Sequence, residues 1–240
     1  MGIIKTKGIV ISESNMGDFD KMLTILTPGN GKISCSAKGA RKQNSALLAG
    51  TQFLCFAEYI LYKKNDTYTI NSCEIIEVFY NIRTDLDKIN YAVYLTKIIL
   101  DVTNENENSY KILQLYLNTL YMISETNKDF DFIISIFKIK LLCLLGFKPR
   151  IEECVNCRKK DDLTYFSIKD NGVKCASCTT QDKSAIKISS STFMALKYIS
   201  TCPIKNLFGF NLKGDSLKEL MLLSKVYFNE KLEKDYKFTF

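Results

Sequence analysis

Apolar residues change their period near residue 80. Before it they come in short blocks bounded by turn formers, as in strands; after it they recur at helical spacing. Ile9 and Ile11 alternate with Val10 and Ser12, and Met22–Leu26 is a second apolar run, closed by the turn Thr27-Pro28-Gly29-Asn30-Gly31. Ile33–Ala37 reads as a short third strand. Gln52–Lys63 reads as a long fourth, with Phe53, Cys55, Ala57, Tyr59 and Leu61 on one parity. Lys64-Asn65-Asp66 then turns the chain and Thr67–Val78 runs back. Five strands with no long helix between them predict a small closed barrel, an OB-fold first and an SH3-like barrel second. Cys35, Cys55 and Cys73 read as small core residues of it.

Beyond residue 84 the stripes are helical. Ile89, Ala92, Val93, Thr96, Ile99 and Leu100 trace one face, and Ile112, Leu113, Tyr116, Leu117, Leu120 and Tyr121 a second, across the polar break at 104–109. Asp129 is placed to cap a third helix, which Gly146 and Pro149 stop. That helix is apolar nearly all round and belongs at the centre of a bundle. The cluster Ser189-Ser190-Ser191 introduces a fourth helix, and Gly214-Asp215 a fifth that carries Leu217, Leu220, Met221, Ser224, Tyr227, Phe228 and Leu232. The expected class is α+β: an OB-fold domain at 1–80, then an all-α domain at 81–240.

An insertion at about 150–182 interrupts the helices. It holds Cys154-Val-Asn-Cys157 and Cys175-Ala-Ser-Cys178, two CxxC pairs separated by seventeen residues. A two-residue gap lets a tight turn aim both sulfurs at one centre, and the longer gap supplies a hairpin that returns the second pair. Gly172 fits such a turn, and the Leu163–Ile168 run is one arm of the hairpin. The spacing predicts a four-cysteine zinc ribbon with one structural zinc ion, closed to water and substrate. Two disulfides or four idle thiols are the plainer alternatives.

Composition narrows the function. The 240 residues are 46% hydrophobic and 25% charged, the balance of an ordinary globular protein. The first ten residues carry Lys5 and Lys7 and no apolar leader, and the apolar stretch 132–147 is broken by Lys138 and Lys140, too short and charged to span a bilayer. With free thiols in prospect, this points to the cytoplasm. Histidine is absent and no carboxylates cluster at metal spacing, which argues against an enzyme. The net charge of +7 permits a nucleic-acid partner without requiring one.

The distribution of charge is sharper. No acid lies between Asp20 and Glu58, a stretch that holds Lys21, Lys32, Lys38, Arg41 and Lys42, the five candidate nucleic-acid-binding residues. Lys38-Gly39-Ala40-Arg41-Lys42 follows the third strand as a loop fit to lie along phosphates, with Phe19 and Tyr68 as aromatics for stacking bases. The alternative is a solvated basic loop. Residues 183–240 hold ten lysines and five acids. Lys197, Lys205, Lys213, Lys218 and Lys225, set among apolar residues, suit an acidic, partly apolar peptide, or else a solvated helix face.

Four stretches bring a family into view. They are Gly17-Asp18-Phe19-Asp20-Lys21-Met22-Leu23-Thr24-Ile25-Leu26-Thr27-Pro28; then Gly31-Lys32 and Ala37-Lys38-Gly39-Ala40-Arg41-Lys42; and Leu144-Leu145-Gly146-Phe147-Lys148-Pro149, leading into Cys154. Together they resemble the bacterial recombination mediator family RecO along essentially the whole chain. The resemblance implies an OB-fold and a helical domain with a zinc-ribbon element. It also implies binding of single- and double-stranded DNA and annealing of complementary strands. The partners it implies are RecR, the acidic C-terminal tail of the single-stranded-DNA-binding protein and, indirectly, RecA during loading onto coated DNA, near the nucleoid. The family's basic loop falls on Lys38, Arg41 and Lys42, and its metal ligands on Cys154, Cys157, Cys175 and Cys178. Where the family often carries a histidine near the end of its last helix, this chain has Asn229-Glu230-Lys231.

Overall fold

A computed structural model describes residues 2–65, 67–180, 182 and 184–237. Asp66, in the expected hairpin turn, lies outside the described residues. The chain forms two compact units, divided between Tyr116 and Leu117.

In the first unit, β1 (Gly2–Met16), β2 (Asp20–Thr27), β3 (Gly31–Ala37), β4 (Phe56–Lys64) and β5 (Thr67–Glu77) close into a barrel of order β1-β2-β3-β5-β4. This is the OB-fold. β1 is long enough to serve two neighbours, pairing β4 from Gly2 to Ile9 and β2 from Ile9 to Met16. A register shift between Val10 and Ser12 bends it there. The bend explains why Ile9, Val10 and Ile11 are all buried, where simple alternation sends every second residue outward. Ile33, Cys35 and Ala37 of β3 and Ala57, Tyr59 and Leu61 of β4 fill the interior at period two. Cys35 and Cys55 are buried there and Cys73 packs partly against them. The Tyr59 hydroxyl, deep inside, donates to the Gly50 carbonyl at 2.7 Å, which satisfies its one buried polar atom. Residues 52–54 turn rather than extend, so β4 starts at Phe56, later than its composition suggests.

After the barrel come α1 (Tyr80–Arg83), α2 (Leu86–Val102) and α3 (Tyr110–Glu125), which continues into the second unit. Asp85 caps α2 by accepting from the Asp87 and Lys88 amides.

The second unit is built round α4 (Phe130–Leu144), whose residues from Phe132 to Leu142 are all buried. Asp129 caps it, accepting the Phe132 amide at 3.1 Å. Next come β6 (Tyr165–Ser167), β7 (Gly172–Lys174) and β8 (Ile186–Lys187), a small sheet of order β7-β6-β8. α5 (Ser190–Thr201) and α6 (Gly214–Leu232) finish the unit. The small sheet rests on α6 through Phe166, fully buried and edge-on to Tyr227 at 5.2 Å between ring centres. Lys138 and Lys140 of α4 are buried, although they read as breaks in the apolar run. Lys140 donates to the Ile199 and Cys202 carbonyls at 3.1 and 2.6 Å, at the end of α5 where helix carbonyls lack partners. No described helix is long and apolar enough to cross a membrane.

Candidate metal centre and nucleic-acid interface

The four cysteines of the insertion converge. Their sulfurs all lie within 4.8 Å of one another, and those of Cys157 and Cys175 are 3.7 Å apart. All nine cysteines of the chain are free. A disulfide needs about 2.05 Å between sulfurs, whereas a tetrahedron of thiolates about 2.3 Å from zinc has edges of about 3.8 Å. The arrangement therefore fits a tetrahedral cation.

Local hydrogen bonds shape each knuckle. At the first, the Cys154 amide donates to Lys159 (2.7 Å) and the Arg158 amide returns to Cys154 (2.9 Å), with Arg158 in a left-handed conformation. At the second, Ala176–Cys178 is a 3-10 turn closed by the Cys178 amide on the Cys175 carbonyl at 3.0 Å. Asn171 takes the left-handed conformation in the hairpin, so Gly172 serves a purpose other than the turn expected of it. The backbone of Arg150 crosses so close that a Cβ on Gly172 would lie 2.4 Å from the Arg150 carbonyl oxygen and 2.6 Å from Val155. That approach lets Val173 donate to Arg150, and Val155 donate to Val173, both at 2.9 Å, which ties the first knuckle to β7. Lys174, just before Cys175, is buried between Asp170 (2.5 Å) and Asp182 (2.8 Å).

The thiols are tuned unequally. Burial pushes Cys154 up, but hydrogen bonds from the backbone at Cys157, Cys175 and Asn156 outweigh it and bring it down to about 6. Cys178, hydrogen-bonded to the Cys157 and Cys175 thiols, is pushed up to about 12. One thiolate is favoured and further ones beside it are opposed, and a divalent cation among them removes that opposition.

The basic loop lies at the β1–β2 turn. The Arg41 amide donates to the Phe19 carbonyl at 2.9 Å, and its Nη1 donates to the Gly17 and Asp18 carbonyls at 3.2 and 3.1 Å. Lys42 Nζ sits 5.6 Å from the centre of the Phe19 ring. Gly39, at φ +63°, turns the chain so that its amide reaches Asp20 Oδ1 at 2.7 Å. Lys38, Arg41 and Lys42 are all exposed on this turn and Phe19 is 51% exposed beside them. Tyr68 is buried in the barrel core, which leaves Phe19 as the accessible aromatic here.

Lys21 and Lys32 are engaged elsewhere. Lys21 pairs with Glu13 at 2.6 Å, its side chain only 12% exposed. Lys32 reaches the Leu100 carbonyl at 2.8 Å, near the C-terminus of α2. The fold also brings Asp18 and Asp20 against a loop that is free of acids in sequence. Chain order carried a hint of this, since Asp18 sits in the β1–β2 turn and Asp20 opens β2 just before Lys21.

Comparison with known proteins covers both halves. A family model described as recombination protein O N terminal matches residues 1–79, and one described as recombination protein O C terminal matches residues 83–238. The DNA repair protein RecO of Acetivibrio thermocellus is 44% identical over 237 residues, 98% of this chain and 94% of that protein. Those of Alkaliphilus metalliredigens and Caldicellulosiruptor bescii are 35% identical over 198 residues and 32% identical over 238. The alignments cover 82% and 99% of this chain, and 80% and 96% of those proteins.

Proposed function

This chain belongs to the RecO family, with a role in DNA repair and recombination, and from that premise we propose that it binds single strands, anneals complementary ones and, with RecR, helps load RecA onto strands coated by single-stranded-DNA-binding protein. The observation that carries this reading is the single exposed turn that holds Lys38, Arg41, Lys42 and Phe19. Three cations there neutralise successive phosphates and release counterions, while the ring offers a face to a base. Lys21 and Lys32 act on this turn indirectly, Lys21 by bracing β1 through Glu13 and Lys32 by fixing β3 to α2.

In this reading the polypeptide makes and breaks no covalent bond. Two strands held on one protein meet at raised effective concentration, and base pairing supplies the driving energy. Cys154, Cys157, Cys175 and Cys178 would hold one zinc ion, which would cross-link the two knuckles and leave no position for water or substrate. The partners are DNA, RecR and the acidic tail of the coating protein, met in the cytoplasm near the nucleoid; no membrane is involved.

The test is a salt titration. Replacing Lys38, Arg41 and Lys42 together by Ala should weaken binding of a labelled oligonucleotide and lower the slope of log K against log salt by roughly 2–3, at about 0.7–0.9 per phosphate contact. An unchanged slope in fluorescence anisotropy removes the loop from the account.

A further inference from the structure

β5 outruns its neighbour in the barrel. β3 pairs with it only at Cys35–Tyr68 and Ser36–Thr69, then ends at Ala37, while β5 continues to Glu77. From Ser72 to Ile75 it keeps regular antiparallel register with β4, between shifts at Asn71 and Ile76. Among the described residues, no strand or loop backbone is bonded to its other edge over this stretch. Residues 74–77 are exposed in succession, Ile75 and Ile76 at 44% and 47%, and Tyr80 follows at 68%. Such an edge is a template for another strand, and proteins ordinarily guard one with charged side chains, lysine above all, with proline or with bulges. Asn71–Glu77 has shifts at both ends but no lysine or proline, and its only charges are the acids Glu74 and Glu77.

Charge says what fits there. Glu74 stands directly opposite Glu58 of β4, an unfavourable like-charge pair. Lys7 of β1 stands opposite Glu58 on its far side, and Lys5, two residues along, pairs with Glu58 diagonally at 2.7 Å. Glu74 makes no close ion pair among the described residues, although the charge of Lys5 also reaches it. The row across the sheet thus runs cation, acid, acid, and no described strand takes the next position, while the Gly50 segment packs against the Cys73 and Ile75 side chains without bonding to the β5 backbone. A second copy docking edge to edge would bring its own Glu74 and Glu77 into that position, which the same rule disfavours.

We infer that the outer edge of β5 at Ser72–Ile76 is a docking edge for an extended segment of another protein, which adds as a strand, places Lys or Arg beside Glu74 and rests apolar side chains on Ile75 and Ile76. The segment takes its affinity from backbone hydrogen bonds and its selectivity from the cation and the apolar contacts. This surface is separate from the basic turn and does not depend on the reading of that turn.

The test uses the full-length protein and a labelled synthetic peptide of alternating valine and threonine with one central lysine. The peptide should bind, slow amide hydrogen exchange at residues 72–76, and lose affinity by about 2- to 30-fold when its lysine becomes glutamate. N-methylation of alternate peptide amides should abolish binding. Glu74→Lys should invert the preference between the two peptides, and Glu74→Gln should remove it. The inference is overturned by absence of binding, by equal affinity for both peptides, or by binding without protection at 72–76. It is also overturned if sedimentation shows a dimer that Ile76→Lys dissolves, since the occupant is then a second copy.

Discussion

Gly172→Ala tests how the ribbon is held together. An added Cβ meets the Arg150 carbonyl oxygen at 2.4 Å and Val155 Cγ1 at 2.6 Å, where ordinary C···O contact begins at about 3.3 Å. The Arg150 segment must therefore retreat by about 1 Å. That carries the Val173-to-Arg150 and Arg150-to-Asn171 hydrogen bonds, now 2.9 and 2.8 Å, beyond useful length. Two backbone bonds at about 1 kcal/mol each, plus about 1 kcal/mol for crowding Val155, give a loss of about 3 kcal/mol. For a unit of this size that is a fall of roughly 10 °C in melting temperature. Calorimetry of the zinc-loaded protein should show this fall, and a chelator should remove the metal at lower concentration than from the parent protein. Gly29→Ala, where nothing lies within 4 Å of the new atom, is the control and should change little. A Gly172→Ala protein that melts and holds metal like the parent refutes the close-approach argument.

Cys154→Ser should reduce zinc, measured by mass spectrometry of the intact protein, from one ion per chain to none; full retention removes Cys154 from the ligand set. Lys140→Met strips two buried carbonyls at the end of α5 of their donor and should cost about 2–6 kcal/mol in urea unfolding, at about 1–3 kcal/mol per orphaned group. Glu219 links α6 to the cap of α5, accepting from the Ser189 amide and hydroxyl at 2.8 Å and from the Thr192 hydroxyl at 2.6 Å. Burial pushes its carboxyl up, but these hydrogen bonds, helped by Lys187, prevail and hold it below its usual value. Its contribution is thus full above the unfolded carboxyl pKa and fades as pH falls through the depressed folded one. Glu219→Gln should flatten the acid limb of the stability curve, and an unchanged limb would contradict this.

Local signals were the legible ones. The Thr27-Pro28-Gly29 turn, the Asp129 cap and the CxxC spacing each act within a few residues, so their consequences follow from the sequence directly. The five barrel strands were also legible, because period-two burial leaves its mark on composition. Closure was harder, since β3 and β5 meet at only two pairs some 33 residues apart in the chain. The charges misled for the same reason. Lys32 is engaged by a carbonyl 68 residues away, and a lysine gives no sign in sequence of whether it faces solvent or a helix end. Lys138 reads as an interruption, yet it lies buried with its ammonium 5.8 Å from the centre of the Phe228 ring. Gly172 was noticed for the wrong reason: a glycine required by a crossing strand looks identical in sequence to one required by a turn.

The most direct test of the account is strand annealing by the purified protein. Two complementary labelled oligonucleotides, each bare or coated with single-stranded-DNA-binding protein, are mixed with the parent chain or with the Lys38, Arg41 and Lys42 triple Ala variant, and pairing is followed by energy transfer. The account predicts that the parent accelerates pairing, that the triple variant loses most of that acceleration while melting normally, and that rising salt suppresses the parent's effect. Equal annealing by parent and variant, or none by either, would contradict it.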